Sequence, residues 1–247
     1  MAQQPELPLE YPASQGTSRF GAPVPELAEG ASRYAARLGR VYNSDQFENI
    51  RAGESHSALY PVVRQSIGQP MTRRMKSSYN ALRKELPEHY NYLTSPKEKG
   101  GLGVSVEFTQ EDPYKHPNEM AEDVRTNNRL KVLSTESTGS HALFSNEENN
   151  MFRAVHDAFG HLSTARDFSK HGEEAAYASH AQMFSKKALP ALVSETRAQN
   201  SYILNAGGFP PNAPMNIPDW ATKVGGMPPE PKAPKQKKPK QLKLKGI

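Results

Sequence analysis

Residues 145–200 read SNEENNMFRAVHDAFGHLSTARDFSKHGEEAAYASHAQMFSKKALPALVSETRAQN, and this stretch holds the densest chemistry in the chain. Four of the eight histidines, His156, His161, His171 and His180, fall in it, interleaved with Asp157, Glu173 and Glu174 and followed by Glu195. Ser145 and Glu148 form the S-x-x-E pattern of a capping box, so a helix starts there. Met151, Phe152, Val155, Phe159 and Leu162 give that helix an apolar face. Gly160 interrupts it at a cost of about 1 kcal/mol relative to alanine, which calls for close backbone approach, a distorted turn or an early end. A second helix is expected over 172–186 and a third over 189–204, with Gly207 and Gly208 as stop signals.

Working outward, the pattern of Leu27, Tyr34 and Leu38 behind Pro25 predicts a helix over 25–38. A helix is expected over 57–67, and a longer one over 70–93 carries Met71, Met75, Tyr79, Leu82, Leu86 and Tyr90 on one stripe, with Pro87 expected to bend or interrupt it. Val104, Val106 and Phe108, then Leu130 and Val132, alternate as two strands, and the segment from Pro117 to about Asn127 between them reads as a helix. The glycines at 100, 101 and 103 precede a strand and lack the Lys-Ser/Thr of a phosphate loop. The fold class is therefore α+β, mainly α: one helical domain over 25–222 with a small strand-helix-strand unit. An extended proline-rich arm is expected over 1–24 and a disordered Pro/Lys-rich tail over 223–247, while Phe209, Ile217 and Trp220 are expected to anchor the segment between domain and tail.

Composition narrows the chemistry. With no cysteine among 247 residues, disulfides, thiolate metal sites and cysteine nucleophiles are excluded, leaving His, Asp and Glu as metal ligands. The start shows no export signal and no segment is apolar enough to span a membrane, so localisation in a cytoplasm or a particle is expected. The net charge of +5 is uneven: eight lysines face only Asp219 and Glu230 beyond residue 206, so the rest of the chain is slightly acidic. Lys232, Lys235, Lys237, Lys238, Lys240, Lys243 and Lys245 make a basic tail suited to weak, salt-sensitive attraction to DNA or to another virion protein.

His156 and His161 are five apart, about 140° on an ideal helix, so a shared ion requires the turn at Gly160 to be remodelled. Two histidines and one carboxylate hold a divalent metal, iron(II) first, with zinc or manganese as alternatives. Glu195 in the SETRAQN patch is the expected third ligand and Glu174 the next choice, with His180 and Glu173 supporting from behind. Asp157, Glu174 and Arg197 are the candidate catalytic side chains, Asp157 or Glu174 as base if the reaction is hydrolysis. Structural alternatives place Glu173 and Glu174 at a helix N-terminus and pair Arg197 with Glu195. His89, on the long helix, is expected to lie well outside the cluster.

VHDAFGH resembles the HExxGH segment of the aromatic amino acid hydroxylases, whose histidines share this spacing. That likeness implies iron on His156 and His161 with Glu195 as carboxylate, although Asp157 stands where the family has glutamate and no pterin-binding segment is visible. More broadly, residues 92–200, including YNYLTSPKEKGGLGV, HGEEAAYASHAQMFS and ETRAQNS, resemble uncharacterised proteins of tailed bacteriophages. This implies a phage origin, in the virion or the host cytoplasm. The functions in play are an iron(II)-dependent hydroxylase acting on a small molecule, a metal-dependent hydrolase, and a non-enzymatic virion-associated protein.

Overall fold

In a computed structural model of the chain, residues 19–44, 47 and 53–230 are described, and the fold is α+β, mainly α. Of the arm expected over 1–24, residues 1–18 lie outside the described residues, as do the tail lysines from Lys232 to Lys245, while at 19–24 the Phe20 and Val24 N–H groups donate to the Ala165 and Leu162 carbonyls at 3.0 and 2.9 Å. Helix α1 spans Pro25–Arg37, α2 Gly53–Ser66 and α3 Arg73–Thr94; β1 spans Ser105–Thr109, α4 Pro117–Asn127 and β2 Arg129–Leu133. A single turn, α5, covers Thr135–Thr138, and α6 covers Asn146–His156. It runs into a π-helical turn over Asp157–Leu162, followed by α7 at Lys170–His180, α8 at Leu189–Glu195 and α9 at Arg197–Ala206. No helix among the described residues is long and apolar enough to cross a membrane.

Helix α3 forms the spine. Thr72 caps it through the Met75 N–H, and it buries Met75, Tyr79, Leu82, Leu86, His89, Tyr92 and Leu93 against α6 and α8. Pro87 does not interrupt it: α3 stays continuous, with one buried stripe running past the proline, while Pro87 itself sits at the partly exposed margin. The buried face also takes His89 rather than the half-buried Tyr90. Helix α1 stops one residue before Leu38, which is exposed rather than part of the packed stripe.

The two strands pair in parallel from Ser105 opposite Arg129 to Thr109 opposite Leu133, with α4 as the crossover. Leu130 and Val132 are buried beneath it. A two-stranded sheet has too little core of its own to stand alone, and β2 packs on α4 and α6. Gly101 serves this unit sterically: a Cβ there would lie 2.1 Å from the Ser95 carbonyl oxygen.

The helix expected over 189–204 is two. Thr196, at φ −124° and ψ −88°, breaks it, its hydroxyl donating to the Leu192 carbonyl at 2.7 Å. Likewise α7 ends at His180 rather than 186 and passes into a short 3-10 turn at Ala181–Met183. Past α9, Met215, Ile217 and Ala221 are buried and Trp220 packs on the core, whereas Phe209 is exposed and does not act as an anchor. The chain stays attached through Gly225 and Gly226, whose N–H and carbonyl are held by Glu174 and Ser55.

Candidate metal centre

Both bonds of the capping box are present at the start of α6: the Ser145 hydroxyl accepts from the Glu148 N–H at 3.1 Å, and the Glu148 carboxylate accepts from the Ser145 N–H at 2.8 Å. The helix keeps ordinary geometry to His156, then adds one residue to its next turn. The Ser163 N–H donates to the Ala158 carbonyl, five residues back, at 3.0 Å. The Ser163 and Thr164 hydroxyls donate to the Phe159 and Gly160 carbonyls at 2.5 and 2.6 Å, satisfying acceptors displaced by the wider turn. Spacing i to i+5 thereby becomes a same-face spacing. The rings of His156 and His161 come to 5.0 Å between centroids, nearly perpendicular at 87°.

Gly160 makes this possible from the other side. A Cβ on it would stand 3.0 Å from the Ala176 Cβ, 3.2 Å from the Ala176 carbonyl oxygen and 3.3 Å from His156 Nδ1. Its absence lets α7 close onto the π turn and deliver Glu173. The Glu173 carboxylate spans the two imidazoles, Oε2 lying 3.6 Å from His156 Nε2 and Oε1 3.6 Å from His161 Nε2. One donor atom from each of the three residues lies within 4.8 Å of the other two. Donors bound at about 2.1 Å to one ion at tetrahedral or octahedral angles stand about 3.0–3.4 Å apart, so the set must contract around an ion to reach ligating geometry.

Each donor is held from behind. His161 Nδ1–H donates to the Arg166 carbonyl at 2.9 Å, which leaves its Nε2 lone pair facing Glu173. Asn200 donates to Glu173 Oε2 at 2.9 Å. His156 Nδ1 lies 3.4 Å from His180 Nδ1, and Phe168 packs edge-on against the His161 ring. Burial pushes the Glu173 carboxyl up, but His161, His156 and Asn200 outweigh it and hold the acid below its ordinary value. Asp157 shows the opposite balance: it keeps a partly exposed edge, yet burial together with the Glu173 charge lifts it to about 7 against the pull of His161 and Arg153.

These groups form one wall of a cleft of about 200 Å³. The SETRAQN patch supplies the facing wall through Glu195, Thr196, Gln199 and Asn200, and Asn149, Asn212 and the exposed Phe209 complete it. Asn149 is 5% exposed, and its amide finds no hydrogen-bond partner among the described residues. Arg153 also borders the cleft, but its guanidinium donates to the Leu133 carbonyl at 3.0 Å and to the Thr138 hydroxyl at 2.6 Å.

The other sequence-derived candidates sit elsewhere. Glu195 borders the cleft without joining the donor set: its carboxylate accepts from the Tyr79 hydroxyl and from Gln199 and lies 3.3 Å from His141 Nε2. Glu173, expected in a supporting role, occupies the position expected for Glu195. Glu174, the next residue on α7, points about 100° away into the core. There Arg197 donates to it at 2.6 Å, His56 Nε2 pairs with it at 2.9 Å and the Gly225 N–H reaches it at 3.1 Å. Burial would raise this acid, but His56 and Arg197 overcome that and hold it at about 2. Arg197 thus pairs with Glu174 rather than Glu195, and it also donates to the Ala221 and Lys223 carbonyls. Glu174 and Arg197 are accordingly a buried clamp on the C-terminal segment, not cleft residues. His171 lies outside the donor set, whereas His89, expected to be remote, has its ring centroid 6.0 Å from that of His180.

Sequence reading missed His89 and His141, which stand 67 and 15 residues before His156 in the chain, and Asn149, which lies on the same helix as His156 among its polar residues. The signal within reach was Glu173, one turn after the capping Ser169, whose hydroxyl accepts from the Gly172 N–H at 3.3 Å. Comparison of the chain with known protein families, curated proteins and solved structures finds no match.

Proposed function

We propose that this chain holds one divalent transition metal on His156, His161 and Glu173 and offers it to a small substrate in the adjoining cleft. The observation that carries the reading is the convergence of these three donors within 4.8 Å at a cleft wall. Two neutral imidazoles and a carboxylate suit zinc, iron(II) or manganese and leave coordination positions open toward the cleft. A bound ion would supply a water acidified toward neutrality. Asp157, next to the first ligand and at the cleft edge, makes no hydrogen bond to the described residues and is placed to accept that water's proton. Hydrolysis is therefore the first reading. Iron(II)-dependent hydroxylation, favoured by the facial donor set and the VHDAFGH likeness, is the second; it needs dioxygen and a two-electron donor as co-substrates.

The lining points to the substrate class. Asp157, Glu173 and Glu195 bring negative charge, and the guanidinium of Arg153 is already engaged. Asn149, Gln199, Asn200 and Asn212 bring amides. A neutral molecule rich in hydrogen-bonding groups fits this wall better than a phosphate or carboxylate. The phage resemblance adds a virion or infected-cell setting, testable by probing purified particles with an antibody.

Elemental analysis of the natively purified full chain tests the centre. About one metal per chain is expected in the parent and in Glu195→Gln, and none in His156→Ala, His161→Ala or Glu173→Ala. Loss in Glu195→Gln with retention in Glu173→Ala would restore Glu195 as the ligand. A parent that neither contains nor takes up metal would overturn the reading in favour of the non-enzymatic alternative. Iron accompanied by substrate-dependent oxygen uptake would move the second reading ahead of the first.

A further inference from the structure

Behind the metal-facing wall lies a column of imidazoles that the chemistry above does not use. His156 Nδ1 is 3.4 Å from His180 Nδ1, the rings of His180 and His89 are 6.0 Å apart at 55°, and His89 hydrogen-bonds the Met183 backbone. His180 is 0% and His89 1% exposed. Each carries a ring nitrogen without a partner, Nε2 of His180 and Nδ1 of His89.

The protons on this column can be assigned in one self-consistent way. His156 turns Nε2 toward Glu173, so as a neutral ligand it carries its proton on Nδ1. That N–H can donate only to an unprotonated His180 Nδ1, which puts the His180 proton on Nε2. His89 bonds the Met183 carbonyl through Nε2–H, since its Nδ1 is the unpartnered atom, and Nδ1 is thus a free acceptor. The two orphaned atoms are therefore one donor and one acceptor on neighbouring rings. Buried polar groups are rarely left unpaired, and these two are complementary.

Resting on the metal reading above, we infer that His180 and His89 are positioning residues: a polarised imidazole relay, anchored on the Met183 carbonyl, that fixes His156 with Nε2 toward the ion. Every donor in the relay points away from the metal, the direction that makes His156 Nε2 a better electron donor. The same His156 Nδ1 lies 3.3 Å from where a Cβ on Gly160 would stand.

Two measurements on the full chain test this. Long-range proton–nitrogen correlation spectra of the zinc-loaded protein should show His156 protonated at Nδ1, and His180 and His89 at Nε2; the reverse tautomer at His180 or His89 would overturn the relay. Cobalt(II) titration followed by its visible spectrum should then show His180→Phe weakened about 10–100-fold with altered bands. His180→Asn, whose amide oxygen replaces the Nδ1 acceptor, should recover most of the affinity. Parent-like binding and bands in His180→Phe would overturn the inference, as would a His180→Asn variant as weak as His180→Phe. A parent that takes up neither zinc nor cobalt would instead sink the metal reading, whereas metal uptake with the reverse tautomers would sink the relay alone.

Discussion

Replacing Gly160 with alanine sets two opposed effects against each other. Alanine in place of glycine inside a helix is worth about 1 kcal/mol in backbone propensity. Against it, the new methyl would lie 3.0 Å from the Ala176 Cβ and 3.2 Å from the Ala176 carbonyl oxygen, about 0.5–1 Å inside comfortable carbon contact. Overpacking of this kind costs about 1–3 kcal/mol. Helix α7 cannot simply retreat, because Ser179 donates to the Phe159 carbonyl at 2.6 Å and Tyr177 to the Thr222 carbonyl at 2.7 Å. The displacement must therefore fall on His156, whose Nδ1 would be 3.3 Å from the methyl, and on the separation between His156 and Glu173. We expect a net loss of about 1–2 kcal/mol, a fall in Tm of several degrees for a chain of this size, and metal affinity at least tenfold weaker because such centres tolerate only about 0.5 Å of misplacement. Urea unfolding and competitive zinc titration of the full chain measure both. A Gly160→Ala protein that is about 1 kcal/mol more stable and binds zinc like the parent would refute the close-approach argument and with it the reason given for the π turn.

Acid should destabilise the fold early. Burial lowers His89 to about 3, so its contribution is complete above its ordinary 6.5 and disappears as pH falls from there toward 3. The Glu174 carboxyl, held at about 2 against an ordinary 4.5, contributes about 3 kcal/mol that is present above 4.5 and lost as pH drops toward 2. Asp157, lifted to about 7, opposes this by stabilising the fold as pH falls from there toward 4. Urea midpoints should therefore decline from pH 7.5 through 5.5 to 3 in Asp157→Asn, and a flat profile in that variant would contradict both assignments. Glu174→Gln leaves Arg197 buried without its counter-charge and should cost about 3–5 kcal/mol; a loss below 1 kcal/mol by the same unfolding assay would show that the clamp contributes little. Deleting residues 230–247 should reduce low-salt retention on DNA and flatten its salt dependence, and equal retention by the full-length and shortened chains would dismiss the basic tail as a polyanion contact.

Local signals told most of the fold. The capping box at Ser145, the apolar stripe from Met75 to Leu86 and the alternation of Leu130 and Val132 each depend on near neighbours in the chain, and each produced the expected element. Pro87 and Thr196 went the other way for one reason. Whether a helix survives a proline, or breaks at a threonine, depends on what packs against its faces, and α3 has a continuous buried stripe while the turn at Thr196 adopts a conformation that nearest-neighbour propensity does not encode.

The candidate centre divides along the same line. By itself the sequence determined that any metal must sit on His, Asp and Glu, that His156 and His161 were the pair to consider, and that their five-residue spacing demanded a distorted turn at Gly160. Only the tertiary structure decided which carboxylate is brought to them. Glu173, Glu174 and Glu195 are chemically equivalent as text, but α7 turns Glu173 to the histidines and Glu174 to Arg197, while Glu195 is held by Tyr79 and Gln199. His89 stands 67 residues before His156 yet approaches the same cluster through the packing of α3 on the following helices. Such long-range partners are set by which buried faces fill the core together, a property of the whole packing that no window of sequence contains.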